Sequence, residues 1–489
     1  MSSITPAHGS PVEIPRVTWP DCTLHTGDED QRCWTCKAHG LPCDMALPVC
    51  RSCRSQNRAC GGYGLRARWP FIAMLDQSES PALASTLASY QLSQVGLPPK
   101  QSFYLQHLST NLARIGLATD YEGNGYRKWI RVATSDSLLL DTILAVAISH
   151  YARWQRQTSL NDSQTHHRQA LRQLRDRLQD PVMVRNESTL AAMMFLITYE
   201  VFNGSDRWKR HQAGVLAWIT AFGSQTSLDP FLKIWLSMVN TQAALNSGIP
   251  TAPQVAAWLG GLHPQRAISV IDPFFGCSAS LPALMLQASN TYIAYRTAAM
   301  SDEPIDEATR RKVEDLKQQL STTRIELDSP LAFELTCAAP GEALSPIQYF
   351  ARNEIFTRAL AVAEIFRYAM LIYVLRILNP PGHTLVPEIQ QAVLSVMDLL
   401  PLVPDVLGPG ANLGWAYVVV GVELEDEERR EYIWSRLQGL HSLALANVFA
   451  AEKVLKAAWR NRDEARLGRE QYRDWQQLMQ GLNIDQILI

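Results

Sequence analysis

From about position 102 to the end of the chain, apolar residues return every three or four positions. This is the period of an α-helix that buries one face. Ala170, Leu171, Leu174 and Leu178 recur in this way between Arg168, Arg172, Arg175 and Arg177, which predicts a helix with one apolar stripe. Asn186 can cap a helix through the apolar segment 190–202, with Gly204 just past its end. Pro304 opens another helix, in which Ile305, Ala308, Val313, Leu316 and Leu320 face one way. The apolar run 138–148 is interrupted by Asp141 and is too short to cross a bilayer, so it reads as a buried helix. Residues 356–378 form one long helix or a close pair, and 428–459 and 471–479 are helical again. Only 417–420 would suit a strand, and a buried helix suits it equally well. The fold class expected is mostly α, with one large all-helical domain over residues 102–489.

The front of the chain is different. Residues 1–31 hold Pro, Gly, Ser, Thr and acids with little periodicity and read as a disordered lead-in. Residues 71–101 include a Ser-, Ala-, Pro- and Gln-rich stretch without heptads, and read as a linker rather than a coiled coil. No basic start leads into an apolar run, so no secretory signal is visible, and no segment has membrane-spanning length. The 489 residues are 47% hydrophobic, enough for a large core. Lys plus Arg is 45 against 47 Asp plus Glu, a net charge of −2, so any nucleic-acid surface must be local.

Between these parts, residues 32–70 carry six cysteines in two triplets, Cys33, Cys36, Cys43 and Cys50, Cys53, Cys60. Each reads C-x2-C-x6-C, and the second is the first moved on by 17 positions, 33 to 50. Thiolates at this spacing are metal ligands first, and the reducing interior of a cell disfavours disulfides. Two separate four-ligand sites need eight sulfurs. Six suffice if two sulfurs bridge both ions, which favours two zinc ions over a single zinc with two spare thiols or an iron–sulfur site. So short a segment cannot bury a core of its own, and folding would require the metals. Cys22, Cys277 and Cys337 read as small core or surface residues. From Arg32 to Arg68 there are seven basic residues and one acid, Asp44, giving +6; six thiolates and two divalent ions would leave +4.

In Cys33-Trp34-Thr35-Cys36, Cys43-Asp44, Pro48, Cys50-x2-Cys53 and Cys60-Gly61-Gly62-Tyr63-Gly64, the chain resembles the fungal binuclear zinc cluster transcription regulators. Segments 144–147 and 187–192, Tyr199-Glu200, Trp208…His211…Gly214, Trp415…Gly421…Glu423…Arg429 and Trp475…Leu478-Met479…Leu488 resemble their helical regulatory domain. The resemblance implies two Zn2+ per chain, with Cys33 and Cys50 bridging, Cys36 and Cys43 completing one ion's shell and Cys53 and Cys60 the other's. It implies a nuclear, double-stranded-DNA-binding regulator of metabolic or secondary-metabolite genes, with a short helix after Cys36 entering the major groove. It also permits co-regulators or a small-molecule effector at the helical domain.

The chain departs from this family between Cys36 and Cys43. Family members carry several Lys or Arg there, whereas this chain has Lys37, His39, Gly40 and Pro42. The matching loop of the second half has Arg54, Gln56, Asn57 and Arg58, side chains suited to base edges, although phosphate contact alone would also explain the arginines. Lys37, Arg51, Arg54 and Arg58 are the expected DNA contacts, with His39 weaker and Arg66 and Arg68 extending the basic footprint. A helical interaction protein that has lost DNA binding is the alternative. His150, His166, His167 and His211 have no metal-site spacing and read as core or surface histidines. The acidic run 423–428 reads as a solvated helix face. No nucleophile elbow or HExxH appears, and no enzyme activity is expected.

Overall fold

The computed structural model describes residue 36, residues 40–44 and 50–56, and residues 97–488 except 119–123, 158–159, 224–227, 249–254, 256, 258–270, 273, 279, 301–305, 324–345, 383–385 and 404–407. The expected lead-in, most of the 71–101 segment, Cys22, Cys337, Pro304 and Ile305 fall outside them. The chain divides into two compact units, Met1–Ala67 and Arg68–Ile489.

In the first unit the described helix is α1, Arg51–Ser55. Among its described residues the regular structure of the second unit is helical, apart from an isolated bridge between Ile271 and Ser278. Its helices are α2 (Pro99–His107), α3 (Gly125–Ala133), α4 (Ser137–Trp154), α5 (Asn161–Gln179), α6 (Glu187–Phe202), α7 (Trp208–Phe222), α8 (Pro230–Ser247) and α9 (Leu281–Met300). They continue as α10 (Glu307–Thr322), α11 (Pro346–Leu378), α12 (Pro387–Leu399), α13 (Gly414–Gly421), α14 (Glu427–Gly439), α15 (Val448–Arg466) and α16 (Trp475–Gly481).

Short polar residues begin many of these helices by accepting otherwise unpaired N–H groups. Asn186 takes Ser188 N–H at 3.0 Å, Asp229 takes Phe231 and Leu232, and Asp474 forms a capping box with Gln477. Helices α4 and α6 are apolar on all sides and bury nearly their whole length. Around them lie α2, α3, α5 and α7, and a second group forms where α11 packs on α9, α10, α12 and α13. One continuous apolar core runs through both groups.

Several expectations are resolved in detail. Residues 356–378 belong to one helix, α11, and 417–420 to the buried helix α13. Ala170 and Leu174 face the core, but Leu171 and Leu178 are exposed, because the stripe of α5 is narrower than its leucine count suggests. The helix expected from Pro304 starts at an Asp306 cap, with Ala308 exposed and Val313, Leu316 and Leu320 buried. The 428–459 stretch is two helices, broken where Ala444 takes a left-handed φ of 56°.

The acidic run is a solvated helix face only in part: Asp426, Glu427 and Glu428 are exposed at the start of α14, but Glu423 is not. Glu423 is 3% exposed and lies between two arginines, with Arg376 Nε at 2.8 Å and Arg462 Nη2 at 3.0 Å. Burial alone would raise its pKa, but the hydrogen bond and charge of Arg376, with Arg462, hold it below the usual carboxylate range. Asp426 caps α14 through Arg429 N–H, and Glu425 pairs with Arg466. Three of these acids therefore tie α11, α14 and α15 together.

His107 and His150 form a second buried polar pair, Nε2 to Nδ1 at 2.8 Å, and His150 Nε2 meets Leu443 O at 2.9 Å. Burial pushes His107 down to about 4 and His150 down to about 3.

Two outcomes are expected. Glu423→Gln strands two buried guanidinium groups and lowers unfolding stability by about 3–5 kcal/mol, read by denaturant titration. Both histidines are neutral when folded and titrate near 6.5 when unfolded. Their stabilisation is therefore complete above pH 6.5 and declines as pH falls toward their folded values. At pH 5.5 the pair should hold about 2–3 kcal/mol less than at pH 7.5. His150→Asn should flatten that part of the melting-temperature profile.

Candidate metal centre

Cys36, Cys50 and Cys53 are wholly buried, and among the described residues Leu41 and Cys43 pack against them. Among the unit's described residues, sulfur takes the central place. Cys36 Sγ lies 3.6 Å from Cys50 Sγ and 3.9 Å from Cys53 Sγ, and the sulfurs of Cys36, Cys43 and Cys50 all fall within 4.8 Å of one another. A disulfide would need about 2.05 Å. Sulfurs held about 2.3 Å from a central ion in a tetrahedron are about 3.8 Å apart. The Cys36–Cys50 spacing is that of such a shell, Cys43 lies in the same group, and the described donors are all sulfur; Cys53 stands as near Cys36 as a member of that shell would, closer than its place on a second ion requires.

Local sequence produces this convergence. The C-x2-C spacing starts α1 so that Cys53 N–H points at Cys50 Sγ, 3.3 Å away. Such a bond favours negative charge on sulfur. Asp44, the one acid of the basic window, accepts Arg51 N–H at 2.8 Å and anchors the start of α1, and its other oxygen lies 3.4 Å from Arg51 Nε. After Cys36 the chain turns at Gly40, whose φ is +63°, and Leu41 N–H returns to Cys36 O at 2.9 Å. This is the six-to-one closure that ends a helix at a left-handed glycine, with the following apolar residue turned inward.

Of the expected DNA contacts, the Arg51 side chain is 89% exposed, so its pairing with Asp44 is a weak restraint. Arg54 lies on α1 with only its backbone described, and Gln56 is exposed. Cys33, Cys60, Lys37, His39, Asn57, Arg58, Arg66 and Arg68 lie outside the described residues.

The helical unit contains a small apolar cavity of about 60 Å³, lined by Tyr126, Ile197, Trp235, Met238, Phe274 and Phe366 among others. Its titratable members Tyr126 and Cys277 are pushed up by burial and stay protonated. A second cavity of about 60 Å³ lies over the Arg376–Glu423–Arg462 cluster.

One constellation was not anticipated from sequence. His167 on α5, Glu200 on α6 and His211 on α7 bring their ligand atoms within 4.8 Å of one another. Separations of 33 and 11 residues match no motif, and only the packing of three helices reveals the grouping. The expectation of ordinary core or surface histidines holds for His150 and for His166, which hydrogen-bonds Asp141 at 2.7 Å. His167 and His211, also partly buried, both turn toward one carboxylate.

A family model for the fungal specific transcription factor domain matches residues 101–489. The arginine metabolism regulation protein II of Saccharomyces cerevisiae (strain ATCC 204508 / S288c) is 35% identical over 63 residues, which is 12% of this chain and 7% of that protein. No solved structure matches the chain. The helical unit, matched from α2 to its last residues, places the chain in the fungal specific transcription factor domain family.

Proposed function

We propose that the chain is a nuclear transcription regulator that binds double-stranded DNA through its six-cysteine module and sets its activity through the helical domain. The observation that carries this is a shell of buried sulfurs at tetrahedral-edge spacing, in the same chain as a transcription factor domain. Two Zn2+ would be held, with Cys33 and Cys50 shared, Cys36 and Cys43 on one ion and Cys53 and Cys60 on the other. The ions supply the cohesion that a carbon core gives larger domains. The relative's name concerns arginine metabolism; for this chain the reading stops at metabolic or secondary-metabolite genes.

Recognition would rest on the second half of the module. Gly40 closes the chain directly after Cys36, leaving Lys37 and His39 as the polar contributors there, while α1 carries Arg51 and Arg54 and is followed by the exposed Gln56. Arg58, Arg66 and Arg68 would extend the positive surface along the phosphates. The apolar cavity marks where a hydrophobic small-molecule effector would enter only by widening it, and its lining helices could equally meet a co-regulator. The closed turn at Gly40 also favours a second reading, an interaction protein whose DNA affinity has faded.

Cys50→Ser should release two zinc ions per chain relative to wild type, and Cys60→Ser one, by elemental analysis of the full chain. If four basic side chains neutralise phosphates, raising salt from 50 to 200 mM should weaken duplex binding by about 100-fold. A chain that retains no random duplex even at low salt is the interaction protein instead. Replacing Gln56 and Asn57 together by Ala should broaden the sequences recovered in a binding selection; an unchanged preference leaves α1 with phosphate contacts alone. A Cβ at Gly40 meets nothing within 4 Å, so Gly40→Ala costs only the left-handed backbone, about 1 kcal/mol. The Leu41 amide should then exchange about fivefold faster.

A further inference from the structure

We propose that the helical domain holds a metal site of its own, in which His167, Glu200 and His211 bind one divalent transition ion, with Zn2+ the best match.

Glu200 lies in the last turn of α6 and is 4% exposed. A helix C-terminus is the less favourable end for negative charge, and a buried carboxylate needs a cation beside it. Among the described residues, its ion-pair partners within 4 Å are His167 and His211, with no Lys or Arg among them. Neutral imidazoles would bring no charge.

The distances show how the three groups meet. His167 Nε2 stands 3.4 Å and His211 Nε2 3.8 Å from the same oxygen, Glu200 Oε1. The same molecule shows what direct histidine–carboxylate bonds look like: His166 to Asp141 at 2.7 Å and His441 to Glu452 at 2.6 Å. By comparison the Glu200 cluster is held open. Nitrogen and oxygen ligands about 2.0–2.1 Å from a tetrahedral ion stand about 3.3–3.4 Å apart, close to the His167 separation and a few tenths of an ångström inside that of His211. His167 Nε2 is buried beside Glu200 Oε1 without a well-directed hydrogen bond, and in the tautomer that carries its proton on Nδ1 this nitrogen could serve as a ligand.

The surroundings fix the ligands in place. The His167 ring stacks on Tyr199 with centroids 4.2 Å apart and planes 15° from parallel. The backbone of Glu200 is locked by a glycine-ended helix stop: Ser205 N–H bonds Glu200 O at 2.9 Å, Gly204 N–H bonds Val201 O at 3.0 Å, and Gly204 has φ +68°. Two imidazoles and one carboxylate from three rigid helices make a borderline-soft donor set suited to zinc, with a fourth position left for water or a small ligand. An ion there would pin α5 to the α6–α7 hairpin. Unlike the N-terminal centre, this site uses no sulfur.

The test counts metal in the full chain after loading with Zn2+ and removal of excess. Glu200→Gln and His211→Gln should each hold one ion fewer than wild type, at unchanged helical content by circular dichroism. Cys50→Ser should leave this ion in place, so loss of the cysteine centre and loss of this site are read separately. Loaded with Co2+, the Cys50→Ser chain should keep weak visible bands lacking thiolate charge transfer, and the further change Glu200→Gln should remove them. Equal zinc in wild type and both variants overturns the proposal and makes the cluster an ion pair of protonated histidines. Should His211→Gln fail to fold, Glu200→Gln, which keeps the side chain's shape, decides alone.

Discussion

Negative charge placed out of water must have a cation at hand, and this chain meets that constraint at each of its centres. Sulfurs 3.6 Å apart and wholly buried could not all be thiolates unless an ion lay between them. Glu423 meets the same demand with two arginines from α11 and α15. Glu200 has two histidines facing the same oxygen, at 3.4 and 3.8 Å. In each case the group joins segments apart in sequence, and without a cation at hand it would be an isolated buried anion rather than merely one contact fewer.

The constraint acts differently in the two units. The helical unit has a continuous apolar core, so Glu423 and Glu200 add specificity to helices that hydrophobic burial already holds. The cysteine unit has no comparable carbon core among its described residues, where Leu41 and the cysteines themselves form the interior. There the ion would be the core, and the zinc proposed for it would be a condition of folding more than an ornament of it.

What could be read from sequence follows from this difference. Helix starts were legible because a cap is a local event, as Asn186 before α6 shows. The cysteine spacing was legible because C-x2-C fixes the geometry of a single turn. Leu171 and Leu178 misled because periodicity gives a helix its face but not the width of what covers that face. Glu423 was misread as solvated because its arginines come from positions 376 and 462, and nothing in ELEDEE points to them. The His167–Glu200–His211 grouping was invisible for the same reason, since α5, α6 and α7 each supply one residue. Local signals announce local structure, whereas pairing of charge across helices is decided by tertiary packing.

The duplicated triplet shows how one local design can diverge. Both halves begin with C-x2-C; the first ends at a left-handed glycine four residues after Cys36, and the second carries α1, with Asp44 anchoring its first N–H. A helix so anchored presents successive side chains at fixed angles, and Arg51 stands 89% exposed on it. A chain ended by Gly40 and Pro42 has fewer donors to present and no side chain at position 40 to project. If the module reads DNA, the physical chemistry of its two loops therefore favours a division of labour, in which the first half chiefly completes the sulfur shell and the second faces the nucleic acid.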